Sequence, residues 1–202
     1  MRGLRNLAQT LPLVDRVDEA LEYCERLERE CGDTQTSWRI RAAIELVAGR
    51  PTEAVESARK VVEAWSECAY IAAFASYELD EEGDARAWFL HGILTWPRAG
   101  SILLGLETDE PGSHREVQDH NTGVHLYREI QPYIDGMSDE MLDFFEGVAT
   151  HPRTLELLEE HRVVDEAWRD DRALAATRDH LESVDFAFRI AAEMSAKPGG
   201  AP

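Results

Sequence analysis

The stretch that decides the fold is Ser37–Glu67, which reads SWRIRAAIELVAGRPTEAVESARKVVEAWSE. Apolar residues recur at three- and four-residue intervals on both sides of Gly49-Arg50-Pro51, so the stretch is typical of two helices joined by a short turn. The turn recurs every 34 residues, because Asp15, Gly49 and Gly83 hold the same position in three successive units. A period of roughly 20–50 residues indicates a stacked array of small units. The sequence therefore predicts helical hairpins that stack along the chain.

The same interval brings large and small residues into matching columns. Trp38 and Ala42 repeat the order of Leu4 and Ala8. A large side chain fills the space between two antiparallel helices, and a small one four residues later lets the backbones approach. The other small residues of these columns are Ala20, Cys24, Ala54, Ala58 and Gly92. These columns predict close antiparallel packing within each hairpin.

The pattern resembles the tetratricopeptide repeat (TPR), a helix–turn–helix unit of the same length. The matching residues are Leu4, Leu7, Ala8, Leu11 and Ala20 in the first unit, Trp38, Ala42, Gly49, Ala54 and Ala58 in the second, and Ala75, Ser76, Leu79, Gly83 and Pro97 in the third. Arg41 and Glu45 depart from the motif, which has a Leu and a Tyr there. Residues 33–35 and 102–105 are more loosely similar to the TPR-containing suppressor-of-tumorigenicity family and its bacterial relatives. The resemblance implies an all-α solenoid of antiparallel helical hairpins.

The pattern changes after the third unit. Residues 1–104 form the TPR-like repeat region, and the acidic, turn-rich segment 105–122 is predicted to be a connecting loop. Residues 123–196 regain helical periodicity, and we expect a helical C-terminal region that caps the solenoid. Residues 197–202 are predicted to be a flexible tail.

The composition narrows the class of partner. The 202 residues include 40 Asp and Glu against 21 Lys and Arg, which gives a formal net charge of −19 at pH 7. Such a surplus repels phosphate backbones and anionic lipid surfaces, so we expect neither nucleic acid nor a membrane as partner. Cys24, Cys31 and Cys68 are odd in number and lack a CxxC spacing, which favours free thiols in a reducing compartment. Met1–Gly32 has no signal-peptide core, and we predict a cytoplasmic location.

Motifs that carry catalysis are absent from the sequence. It has no P-loop, no GxSxG elbow and no HExxH pair, so we expect no enzymatic activity, no cofactor and no bound metal. The one polar constellation is Asp119-His120-Asn121 with His125, and a spacing of five residues does not put both histidines on one helix face. An alternative hypothesis is a helical enzyme or metal-binding protein that uses Asp119, His120 and His125.

The resemblance also implies a binding face. In TPR folds the first helix of each unit lines a concave surface that holds an extended peptide or a helix. By this register the candidate partner-binding residues are Arg5, Gln9, Arg39, Tyr70 and Tyr77. The predicted function is a non-enzymatic protein–protein interaction module or scaffold, and two arginines in one column favour an acidic or carboxylate-bearing peptide. Two alternatives stay open: the tail helices fill the concave face, or they join copies of the chain into a self-assembling homo-oligomer.

Overall fold

The computed structural model describes residues 2–14, 16–106, 109–167 and 172–196. The structure is 81% helix, with no strand in those ranges, which confirms the predicted all-α fold. Asp15, at the first predicted turn, and the predicted tail 197–202 lie outside the described residues.

Twelve α-helices follow one another along the described chain, with a short 3-10 turn at Leu11–Val14 after the first. They are α1 (Arg2–Thr10), α2 (Val17–Cys31), α3 (Thr34–Val47), α4 (Pro51–Arg59), α5 (Cys68–Glu78), α6 (Glu82–Thr95), α7 (Pro97–Leu103), α8 (His114–Ile134), α9 (Asp139–Ala149), α10 (Pro152–Ala167), α11 (Arg172–Leu181) and α12 (Val184–Ser195). None of these helices has both the length and the apolar character that a membrane crossing requires.

The first six helices pair as the repeat predicts, α1 with α2, α3 with α4 and α5 with α6. Between α3 and α4, Gly49 has a φ of 66°, a left-handed conformation that glycine adopts without strain, and Pro51 opens α4. α4 ends at Arg59, and tight turns follow it, in which the Val61 N–H donates to the Ala58 carbonyl.

The small-residue columns lie where the paired helices touch. Ala20, Ala42, Ala54 and Ala58 are completely buried, and so is Cys24. Burial raises the pKa of the Cys24 thiol to about 12, so this thiol stays protonated at neutral pH and is a packing residue. The close approach of paired helices that the columns predict is confirmed.

An aromatic cluster joins the C-terminal helices to the repeats. Phe145 of α9 lies against Phe74 of α5 and Phe89 of α6, with ring centroids 5.1 and 4.6 Å apart. α12 packs along α6, where the Phe188 ring meets the Trp88 ring edge-on with centroids 5.0 Å apart. The repeats and the C-terminal region therefore share one hydrophobic core.

The predicted loop over 105–122 is wrong in its second part, because α8 begins at His114 rather than at residue 123. Ser113 and Glu116 form a capping box: the Ser113 hydroxyl accepts from the Glu116 N–H, and the Glu116 carboxylate accepts from the Ser113 N–H. The box satisfies backbone donors that the first helical turn leaves free, so a helix starts inside an acidic, turn-rich sequence. Farther along, Pro132 bends α8 at Ile130 without ending it.

Candidate functional site

Much of the concave face predicted from the repeat register is filled by the chain itself. Tyr70 is completely buried, and its hydroxyl donates a hydrogen bond of 2.6 Å to the Trp96 carbonyl. Tyr77 is half-buried against Phe144 of α9, with ring centroids 4.9 Å apart. Tyr70 is therefore inaccessible to a partner. Tyr77 packs against the aromatic side chains of α9 and does not face an open groove.

The other three predicted residues line one cavity. Arg5 and Gln9 of α1 and Arg39 of α3 border a space of about 480 Å³ that opens between the repeats and α8. This volume lies in the range of roughly 300–1,000 Å³ that ligand pockets occupy. We call this space the α8 cleft.

Arg39 is the buried centre of charge in the α8 cleft. Only 6% of the residue is exposed, and its guanidinium donates to Glu67 Oε1 at 3.1 Å and to the two oxygens of Glu129 at 3.1 and 2.9 Å. Burial acts to lower the Arg39 pKa, but the carboxylates of Glu129 and Glu67 outweigh it and hold the pKa above its ordinary value. Because Glu129 lies on α8, this ion pair fastens α8 to α3.

Arg5 and Gln9 also have partners within the chain. Arg5 forms an ion pair with Asp33, and the Gln9 amide donates to Glu129 Oε1 at 2.7 Å. The guanidinium groups of Arg5 and Arg39 are thus both paired with carboxylates, and the expected preference for an acidic peptide loses its basis.

The α8 wall of the cleft is different, because its amide side chains make no hydrogen bond to any described residue. Gln118, Asn121, Thr122 and His125 border the cleft at the three-, four- and seven-residue intervals of one helix face. Gln118 and Asn121 are exposed and make no hydrogen bond to the described part of the chain. Gln118 and Thr122 are not among the residues predicted from the sequence, and Asn121 is predicted only as part of the polar constellation, because the sequence pattern indicates a loop over 105–122. The capping box at the start of α8 is the signal that could have revealed them.

An apolar recess of about 200 Å³ adjoins the α8 cleft and shares Gln9, Ile40 and His125 with it. Its apolar lining consists of Pro12, Ile40, Ala43, Ile44, Val47 and Pro132. The repeats and α8 together therefore present a polar space with an apolar recess beside it.

The residues of the alternative site, Asp119, His120 and His125, are not grouped as ligands of a metal ion. Asp119 is 4% exposed, and its two oxygens accept the backbone N–H groups of Arg98 and Ala99 at 2.9 Å each, which caps the start of α7. Burial raises the Asp119 pKa, and these two hydrogen bonds act against the rise. His125 is exposed, and its Nε2 lies 3.6 Å from Oε1 of Glu129. Across the described ranges, no three His, Cys, Asp or Glu side chains are grouped so that they could hold a metal ion.

Comparison with known proteins assigns no family or function to the chain. A scan against protein-family models, a search of curated proteins and a search of solved structures each found no match.

Proposed function

We propose that the protein is a non-enzymatic interaction module that holds a short peptide segment of a protein partner in the α8 cleft. The observation that carries this proposal is that Gln118 and Asn121, whose amides have no hydrogen-bond partner among the described residues, share one cleft with Gln9 and the buried Arg39. In this function the TPR-like hairpins form a rigid wall, and α8 supplies the hydrogen-bonding groups that remain free for a ligand.

Amide side chains suit the backbone of a peptide. Gln118 and Asn121 each carry an NH₂ donor and a carbonyl acceptor, and every peptide unit presents the complementary N–H and C=O groups. A ligand gains these contacts without breaking any hydrogen bond that either side chain makes within the described chain. An extended peptide fits better than a helix, because the backbone groups of a helix already bond to one another.

The apolar recess supplies an anchor for such a peptide. Its lining by Ile40, Ile44 and Val47, next to the polar cleft, suits one aliphatic side chain flanked by exposed main chain. Complete burial of an aliphatic side chain contributes roughly 1.5–3 kcal/mol. The preferred partner is therefore an extended segment with one aliphatic residue and no requirement for acidic residues.

A cytoplasmic location belongs to the same proposal. Cys24, Cys31 and Cys68 are all free thiols. Free cysteines are ordinary in a reducing compartment and uncommon in secreted proteins.

Selection from a displayed library of random peptides tests the binding function directly. The immobilised protein should select peptides that share an aliphatic position. Fluorescence polarisation then gives the Kd of a selected peptide for the wild type and for the Gln118→Ala/Asn121→Ala double variant. We expect the double variant to bind at least about tenfold more weakly, which corresponds to ~1.4 kcal/mol.

Gln131→Ala is the matched control, because Gln131 is an exposed amide on α8 that lines neither the cleft nor the recess. It should bind the selected peptide as the wild type does. A double variant with wild-type affinity, or an equal loss in Gln131→Ala, would remove the α8 cleft as the binding site.

A further inference from the structure

A second cleft lies between the turn that follows α4, helix α6 and the start of α12. Its volume is about 420 Å³, and its titratable lining residues are Glu63, His91, Glu182 and Asp185. No residue that lines it also lines the α8 cleft. We call it the His91 cleft.

Glu182 is held in place with one carboxylate oxygen left over. Arg115, His161 and Arg178 all direct nitrogens to Oε1, at 2.9, 2.8 and 3.0 Å. No described residue hydrogen-bonds to Oε2. Burial acts to raise the Glu182 pKa, but the hydrogen bonds from His161 and Arg115 hold it at about 2, so the side chain is ionised at neutral pH. Arg115 and Arg178 balance the charge of Glu182, and its Oε2 remains as a fixed hydrogen-bond acceptor.

His91 adds a second group without a partner. The residue is 4% exposed, its Nδ1 is shut off from solvent, and neither ring nitrogen has a hydrogen-bond partner among the described residues. Burial lowers its pKa to about 4, with Glu182 acting in the opposite direction, so the imidazole is neutral at neutral pH and offers one acceptor nitrogen. Nδ1 is closed to a ligand as it is to water, so Nε2, which is not shut off, is the nitrogen that a ligand in the cleft can reach.

The charged residues at the mouth of the cleft determine the sign of the charge that a ligand would carry. Glu63 and Asp185 are exposed and form no ion pair with any described residue. The start of α12 on its own would attract an anion. However, the Ser183 hydroxyl already accepts from the Phe186 N–H at 3.3 Å, and the carboxylate of Asp185 lies in the first turn. The cleft therefore favours a cation.

We propose that the His91 cleft binds a primary alkylammonium ion, with the carboxylates of Glu63 and Asp185 facing its charge and with Glu182 Oε2 and His91 Nε2 accepting its hydrogen bonds. An ammonium group has three donors and no acceptor, which complements a lining of acceptors. The same group is presented by a small free amine and by a lysine side chain of a protein.

Nuclear magnetic resonance of protein labelled at its histidine rings tests the site. n-Butylamine is the probe, and 1-butanol has the same carbon chain without the charge. We expect n-butylamine to shift the His91 resonances and to leave those of His125, which lies outside the cleft, in place. 1-Butanol should produce no shift. A parallel titration with Nα-acetyl-lysine methylamide distinguishes the two sources, because tighter binding than n-butylamine favours a protein-borne lysine and equal or weaker binding favours a free amine.

Glu63→Gln/Asp185→Asn removes both rim charges at exposed positions and preserves the size of the side chains. We expect it to raise the Kd for n-butylamine at least about tenfold. Its matched control is Glu56→Gln/Glu193→Gln, which removes two exposed acids from α4 and α12 outside the cleft and should leave the Kd unchanged. A shift with 1-butanol, wild-type affinity in the rim variant, or an equal loss in the control would each overturn the site.

Discussion

Arg39→Met should destabilise the protein far more than Glu129→Gln, although both substitutions break the same ion pair. In the wild type one guanidinium faces two carboxylates, those of Glu67 and Glu129. Methionine replaces the apolar stem of Arg39 but leaves the two carboxylates together without a cation. Glutamine at position 129 leaves one guanidinium facing one carboxylate, and its carbonyl still accepts a hydrogen bond.

The expected magnitudes follow from the burial of these groups. The side chains of Arg39, Glu67 and Glu129 are only 8%, 10% and 13% exposed, so solvent screens them little. Loss of one partner from a buried ion pair costs about 3–5 kcal/mol, and we expect ~4 kcal/mol for Arg39→Met. Loss of the charge on one acceptor costs less, and we expect ~1–2 kcal/mol for Glu129→Gln. One kcal/mol moves the Tm of a domain of this size by roughly 2–4 °C, so the two variants should melt roughly 5–10 °C apart.

Urea unfolding followed by circular dichroism measures both free energies. The Arg39→Met/Glu129→Gln double variant should be more stable than Arg39→Met alone, because one of the two unpaired carboxylates is gone and neighbouring sites are not additive. Equal losses in the two single variants, or a greater loss for Glu129→Gln, would show that Arg39 does not neutralise both carboxylates and that α8 is held to α3 by other contacts.

Three further outcomes are expected from unfolding measurements. Gly123→Ala should lose about 1–3 kcal/mol, because its Cβ would lie 2.6 Å from the Ala99 Cα, whereas Gly147→Ala, with no atom within 4 Å, should be neutral or stabilising in the same thermal melts. The stability that Glu182 contributes should be present above pH 4.5 and disappear as the pH falls towards 2, since its folded pKa is lowered to about 2, and Glu182→Gln should abolish this dependence in urea titrations. As the pH falls, His91 becomes protonated in the unfolded chain before it does in the folded chain, because the folded pKa is lowered from 6.5 to about 4. Stability should therefore also decrease as the pH falls from 6.5 towards 4, and His91→Gln should flatten this dependence.

The hairpins could be predicted from the sequence because their determinants are local. Gly49 permits the left-handed turn, and Ala54 and Ala58 permit close helix contact whatever lies elsewhere in the chain. The candidate site could be predicted only in part, because the register identifies Arg39 as facing inward and says nothing about what covers it. Its partner Glu129 is 90 residues away, on a helix whose start depends on a four-residue capping box. Contacts between distant segments leave no periodic trace in a sequence.

Arginine is used in this protein to bridge segments. Of the 21 basic residues only Lys60 and Lys197 are lysines. Arg39 joins Glu67 to Glu129 of α8, and Arg115 of α8 joins Asp165 of α10 to Glu182. A planar guanidinium can hold two carboxylates at once in fixed directions, which a lysine ammonium does less well.

Both bridges use α8, so the helix that supplies the free amides of the α8 cleft also orients the Glu182 carboxylate of the His91 cleft. These arginines neutralise acids between helices, and they leave the surplus of 19 negative charges unbalanced. A surface field of that sign raises the local concentration of cations and repels polyanions. Within it, the arginines that line the α8 cleft are already paired, which is why we propose a neutral peptide there, whereas Glu63 and Asp185 of the His91 cleft have no ion pair with a described residue, which is why we propose an amine.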